Sequence, residues 1–188
     1  GPPQNQVETF TLTAASKPVD TVHFAVSFSK MPVTSGESFN AYLKPDRVVA
    51  PKGLRTISGV LVYHNDSYLP PAQLTGPMGI TATPSVATSG KDIRLTFVFK
   101  SASDITLDPT QPVLTAPLVA MDADSVAVVI AVDSLRLNGD DPSFATCSQA
   151  GQVRHSIEAR AAAEGREAAD LRHRRFANTA PQRVLFLL

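Results

Sequence analysis

Seven residues, Ile93-Arg94-Leu95-Thr96-Phe97-Val98-Phe99, constrain the fold of this chain more than any other stretch. Ile93, Leu95, Phe97 and Phe99 recur at every second position, with Arg94 and Thr96 between them. Side chains alternate faces along an extended chain, so this is a strand with one apolar face and one wet face. Val22, Phe24, Val26 and Phe28 repeat the pattern, as do Val126, Val128, Ile130 and Val132. These three strands are expected to form the heart of a sandwich, because apolar sheet faces are buried by stacking one sheet on another.

Further strands are expected over 9–13, 39–43, 56–64, 80–83, 104–107 and 113–116, with an edge strand over 47–50 where Pro and charge discourage further pairing. That makes roughly eight to ten short strands with turn signals every 8–12 residues, the mark of a sandwich or barrel. The 56–64 strand is unusual. Ile57, Gly59, Leu61 and Tyr63 lie on one face, but Val60 and Val62 make the other face apolar too, so the strand reads as central or covered. Gly59 suggests a bulge or the close approach of another backbone. The stretch 65–78, with Pro70-Pro71 and Gly76-Pro77, reads as a long polar connection.

The charge is unevenly placed. Residues 1–147 hold 10 Lys and Arg against 13 Asp and Glu, a net of −3, whereas residues 148–188 hold seven Arg against four acids, a net of +3. Three regions follow: a Pro/Gln/Asn-rich arm over 1–6, a β-sandwich over 7–147, and an Arg/Ala-rich tail over 148–188. Ala, Glu and Arg favour a helix over 153–177 of that tail, although its apolar stripe is thin and needs a partner surface. The chain opens Gly1-Pro2-Pro3 with no initiator Met and no leader-like segment, so it reads as a processed product or an excised domain. No run approaches the 18 or so apolar residues of a membrane-spanning helix.

Reactive chemistry is sparse. Cys147 is the single cysteine, which rules out an intrachain disulfide and a zinc site built on cysteines. His23, His64, His155 and His173 show no metal-ligand spacing, and no Gly-x-Ser-x-Gly or His-Glu-x-x-His motif occurs. Ser89-Gly90-Lys91-Asp92 lacks the upstream Gly and the downstream Ser or Thr of a phosphate loop and reads as a turn. No cofactor is expected. Calcium is the one metal to weigh, with Asp122, Asp124, Asp140 and Asp141 as its ligands and Asp104 and Asp108 near in sequence, because hard oxygens at strand ends suit that ion. Turn chemistry explains the same residues. Asn65-Asp66-Ser67 is an N-glycosylation triplet, consistent with an extracellular setting. In the tail, Arg172, Arg174, Arg175, Phe186 and Leu188 are candidate partner contacts, the last two able to add a strand to a neighbour's sheet. The acids alternating with the tail's arginines argue against a nucleic-acid partner.

At Phe24-Ala25-Val26-Ser27-Phe28-Ser29-Lys30-Met31-Pro32-Val33-Thr34 the chain resembles the early strand and turn of immunoglobulin-like repeats in large surface and adhesion proteins. The Cys and Trp of antibody-type domains are absent. The resemblance implies an antiparallel, immunoglobulin-like β-sandwich; the Pro-rich start and the Arg-bearing tail fit a jelly roll with an arm at each end as the alternative. The resemblance also implies a non-catalytic structural or adhesive module on a cell surface, joined to protein partners or copies of itself. Partners would be met by the loops around Ser35, 68–78 and Asp122. The alternative function is the coat protein of a small non-enveloped virus with terminal arms.

Overall fold

The computed structural model describes residues 21–121, 127–139, 141 and 144–156. The arm over 1–6, the strand over 9–13 and the segment 157–188 lie outside them. Among the described residues there are twelve strands in two stacked sheets. One sheet holds β1 (Thr21–Phe28), β2 (Ser38–Pro45), β4 (Tyr68–Leu69), β5 (Leu74–Thr75), β6 (Thr81–Ala82), β9 (Leu114–Ala120) and β11 (Ala145–Gln149). Its order is β11-β1-β2-β9-β5-β6, with β4 also on β9. The other sheet holds β3 (Thr56–His64), β7 (Ser85–Ser89), β8 (Asp92–Lys100), β10 (Ala127–Leu137) and β12 (Gly151–Arg154), in the order β12-β10-β3-β8-β7.

The alternation read from the sequence is the alternation of burial. Phe24, Phe97 and Ile130, one from each expected core strand, are at most 2% exposed and belong to a single core. In β8 the even-numbered positions are half-buried or exposed, while Ile93, Leu95, Phe97 and Phe99 face inward.

Five expectations are corrected. The sandwich is not wholly antiparallel: β1 and β11 run parallel, with Thr21 opposite Ala145 and Ala25 opposite Gln149. A two-residue side-chain period is the same for either direction, so alternation cannot encode this choice. The helix expected from Val153 does not start there. Val153 is an inward residue of β12, fully buried opposite Val128, between exposed Gln152 and Arg154. β11 also runs across position 147, so strands of the sandwich continue past the expected change of region. The stretch 65–78 is not simply a polar connection, because Tyr68 and Leu74 are fully buried core residues on β4 and β5.

The fifth concerns Gly59. The pairing of β3 with β8 is unbroken from Thr56 to His64, so β3 carries no bulge. The irregularity lies opposite, in β10, where register shifts between Asp133 and Arg136 and Ser134 has a φ of 50°. What approaches Gly59 is the Phe97 ring, with Cζ 3.0 Å from where a Cβ would sit.

One end of the sandwich is closed by aromatic rings. Phe28, Phe39, Tyr68 and Tyr63 meet in successive edge contacts at centroid distances of 6.2, 5.2 and 5.6 Å. His155 lies nearly parallel to Tyr68 and its Nε2 is 2.9 Å from the phenol oxygen. Its backbone bridges Val33, whose N–H donates to Arg154 O at 2.9 Å. This contact fastens the end of β12 to the turn after β1.

Burial disfavours the imidazolium and holds the His155 pKa below its ordinary 6.5. The unfolded chain therefore binds the extra proton first as pH falls. Stability contributed at His155 is present above about pH 6.5 and is lost as pH falls through the lower folded value. The carboxylates with displaced pKa values titrate further down. Lys30 and the Thr34 backbone hold Glu37 at about 2. Hydrogen bonds from the Gly53 N–H and Arg55 hold Asp104 low, and the Thr110 backbone does so for Asp108. Urea midpoints should accordingly fall between about pH 7.5 and 5.5 in the parent, and the fall should be smaller in His155→Gln. An identical fall in both proteins would remove His155 from the account.

Candidate interaction face

The two outer faces of the sandwich differ. On the seven-stranded sheet the outward side chains include His23, Asn40, Tyr42, Lys44, Thr115 and Gln149. They are polar and partly engaged with one another. Asn40 Nδ2 donates to the Tyr42 hydroxyl at 3.4 Å, and Lys44 Nζ lies 5.4 Å from the Tyr42 ring centroid.

The five-stranded sheet presents valines. In register, Ala131 of β10 stands beside Val62 of β3, Arg94 of β8 and Ala87 of β7. The next row is Asp133, Val60, Thr96 and Ser85, and in the row beyond it Ser58 pairs with Val98. Diagonal positions on neighbouring strands lie about 7–8 Å apart. Val129, Val62, Val60 and Val98 therefore form an oblique apolar stripe over three strands. Val129 is 54% exposed and Val98 45%, while Val60 and Val62 are half-buried. Single exposed valines are ordinary on a protein surface; four in line on one flat face are not. Arg94 and Asp133 pair at 3.4 Å from either side of β3, an ion pair that spans the central strand. Asp92 and Lys100 add charge along the rim.

Beside Val129 the face dips into a hollow of about 330 Å³, lined by Val62, Tyr63, His64, Asp92, Ala127, Val128, Val129 and Ala131. His64 and Asp92 are cross-strand partners there. The described lining contains no Ser, Thr or Cys to act as a nucleophile, and most of it is alanine and valine. The hollow suits an inserted apolar side chain better than a reacting group.

Other candidate residues fall elsewhere. Asp122, Asp124 and Asp140 lie outside the described residues, as do Arg172, Arg174, Arg175, Phe186 and Leu188. Asp141 is half-buried and engaged in an interaction of its own. Among the described residues no three His, Cys, Asp or Glu side chains gather as metal ligands. Asp104 accepts from the Gly53 N–H at 3.0 Å and from Arg55 Nε at 3.1 Å, and Asp108 accepts from Thr110, so both serve their loops. Asn65 sits in a tight turn, its N–H donating to Lys91 O, while Ser67 of the same triplet is 1% exposed. Cys147 is exposed on β11, opposite His23. Of the loops expected to meet partners, 68–78 gives Tyr68, Leu74 and Pro77 to the interior. Among the described residues no helix is long and apolar enough to cross a membrane.

No protein-family model matches the chain, and no curated protein matches it in sequence. Its fold is similar to that of a cohesin module from a family 33 glycoside hydrolase of Clostridium perfringens. The TM-score is 0.55 at 12% identity, covering 72% of this chain and 96% of that one. CaCohA2 of Clostridium acetobutylicum is similar too, with a TM-score of 0.53 at 13% identity, covering 72% of this chain and 92% of its own. The likeness is not specifically to immunoglobulin-like repeats. The chain has a cohesin-like β-sandwich fold.

Proposed function

We propose that the chain is a non-catalytic interaction module that docks a partner protein on the outer face of its five-stranded sheet. The valine stripe carries this reading. It is a line of apolar side chains on a rigid sheet, crossed over the central strand by the Arg94–Asp133 ion pair and set beside a hollow of mostly small apolar residues. An interface core of this kind expels water while the rim sets specificity. The fold likeness supports it. The Clostridium perfringens module is part of a larger enzyme, and CaCohA2 has been solved in a complex with CaDoc0917. A surface-exposed, extracellular assembly role belongs to the same reading. The coat-protein alternative gains no support from the fold.

Val98→Glu combined with Val129→Glu should leave the melting temperature nearly unchanged, since both side chains are largely exposed. It should weaken a captured partner by 100-fold or more, because two charges would be desolvated in the interface. Tyr42→Ala on the opposite face should bind like the parent. Equal binding by all three proteins, measured by calorimetry, would refute the assignment.

A further inference from the structure

We infer that the free edge of β7 pairs with β7 of a second copy of the chain, across a twofold axis through Ala87. This contact is separate from the partner face, because it uses the rim of the sheet rather than its surface. Among the described residues β7 ends its sheet, and all five of its residues are exposed. Edge strands usually carry charge, proline or a bulge to prevent such pairing. Ser85-Val86-Ala87-Thr88-Ser89 carries none of these, and its pairing with β8 is unbroken from Ser85 to Ser89.

The strand is also complementary to itself. The connection Gly90-Lys91, with Gly90 at a φ of 61°, closes the β7–β8 hairpin on the pair Ser89 and Asp92. Antiparallel alternation then directs the backbone groups of Ser85, Ala87 and Ser89 toward β8 and those of Val86 and Thr88 outward. In an antiparallel self-pair centred on Ala87, Val86 faces Thr88 of the second copy and Ser85 faces its Ser89. The outward groups of Val86 and Thr88 then meet their counterparts in four hydrogen bonds. Beyond the strand, Pro84 faces Gly90 and Thr83 faces Lys91, so no like charges oppose. The chain's formal net charge is zero, which adds no general repulsion. Val86, 51% exposed on the inward side of the strand, gains cover. The product is one continuous sheet through both copies.

Five residues of edge bury less than the roughly 1,200–2,000 Å² of a stable interface, so a weak dimer is expected, with a dissociation constant on the order of 100 µM. Sedimentation equilibrium of the full chain up to millimolar concentration should show it. Ala87→Asp keeps a favourable neighbour within its own copy, Arg94, but sets each new carboxylate against its own image on the axis. It should weaken self-association at least tenfold, as should Ala87→Lys, and an equimolar mixture of the two should associate again. Amide exchange at Val86 and Thr88 should slow as concentration rises. A chain that stays monomeric at millimolar concentration, or dimers indifferent to Ala87→Asp, would overturn the inference. So would Val86 and Thr88 amides equally slow at every concentration, which would mean that the edge is covered within one chain.

Discussion

Phe97→Ala is expected to cost the fold about 3–5 kcal/mol, the range for removing a fully enclosed phenylalanine. Phe97 is 1% exposed and sits 5.2 Å, ring to ring, from Phe99. Its far edge lies over Gly59 of β3, where a Cβ would stand 3.0 Å from Cζ and 3.4 Å from Val132 Cγ1. The missing side chain of Gly59 is thus the space that the ring fills. The loss combines lost transfer free energy with a cavity that two hydrogen-bonded sheets cannot collapse into. Gly59→Ala placed on Phe97→Ala should return part of it, about 0.5–1 kcal/mol, because the added methyl then enters empty space and glycine is a poor strand residue. Urea unfolding of the two variants measures both quantities. A loss below about 1 kcal/mol for Phe97→Ala would mean that this ring is not the core residue described.

Gly76→Ala should cost about 2–4 kcal/mol for the opposite reason, overpacking. A Cβ there would stand 2.5 Å from Phe99 Cγ and 2.7 Å from both Cδ atoms, in the face of a ring that is fully buried. Neither side has room to retreat. The Gly76 N–H donates to Ile80 O, and the adjoining Thr75 is paired with both Thr81 and Thr115. Phe99 is held between Ile57, its register partner, and the rest of the core. The backbone conformation of Gly76, with φ at −105°, is open to any residue, so strain of the glycine itself plays no part. Phe99→Ala removes the Cγ and both Cδ atoms that the new Cβ would meet, so the double variant should be more stable than the sum of the single changes allows. Additive losses would show that the two positions do not touch.

The core was legible in the sequence because inward residues at Phe24, Phe97 and Ile130 sit in runs long enough for a two-residue period to show. Shorter or less regular elements were not. β4 and β5 have two residues each, which is no period at all, although Tyr68 and Leu74 are deeply buried. All five residues of β7 are exposed, so burial imposes no alternation on them. β11 is polar and pairs in parallel with β1, and a chain direction leaves no trace in the pattern. β12 is four residues long and lies just before the Ala/Glu/Arg-rich composition that suggested a helix.

The interaction face had a signal that is plain in retrospect. Val60 and Val62 gave the strand over 56–64 a second apolar side, which read as a central or covered strand; β3 is the middle strand of its sheet. In the fold that side is the outer surface, and Val98 and Val129 continue it from the two neighbouring strands. Each of those strands shows one outward valine, which means little until register places them in a line.

The central claim is that partners meet the five-stranded sheet, and valine-methyl NMR of the chain titrated with a captured partner tests it most directly. Methyl signals of Val60, Val62, Val98 and Val129 should shift or broaden together, while Val119, on the outer side of the seven-stranded sheet, stays in place. Perturbation centred on Val119 with the four stripe valines unmoved would contradict the account.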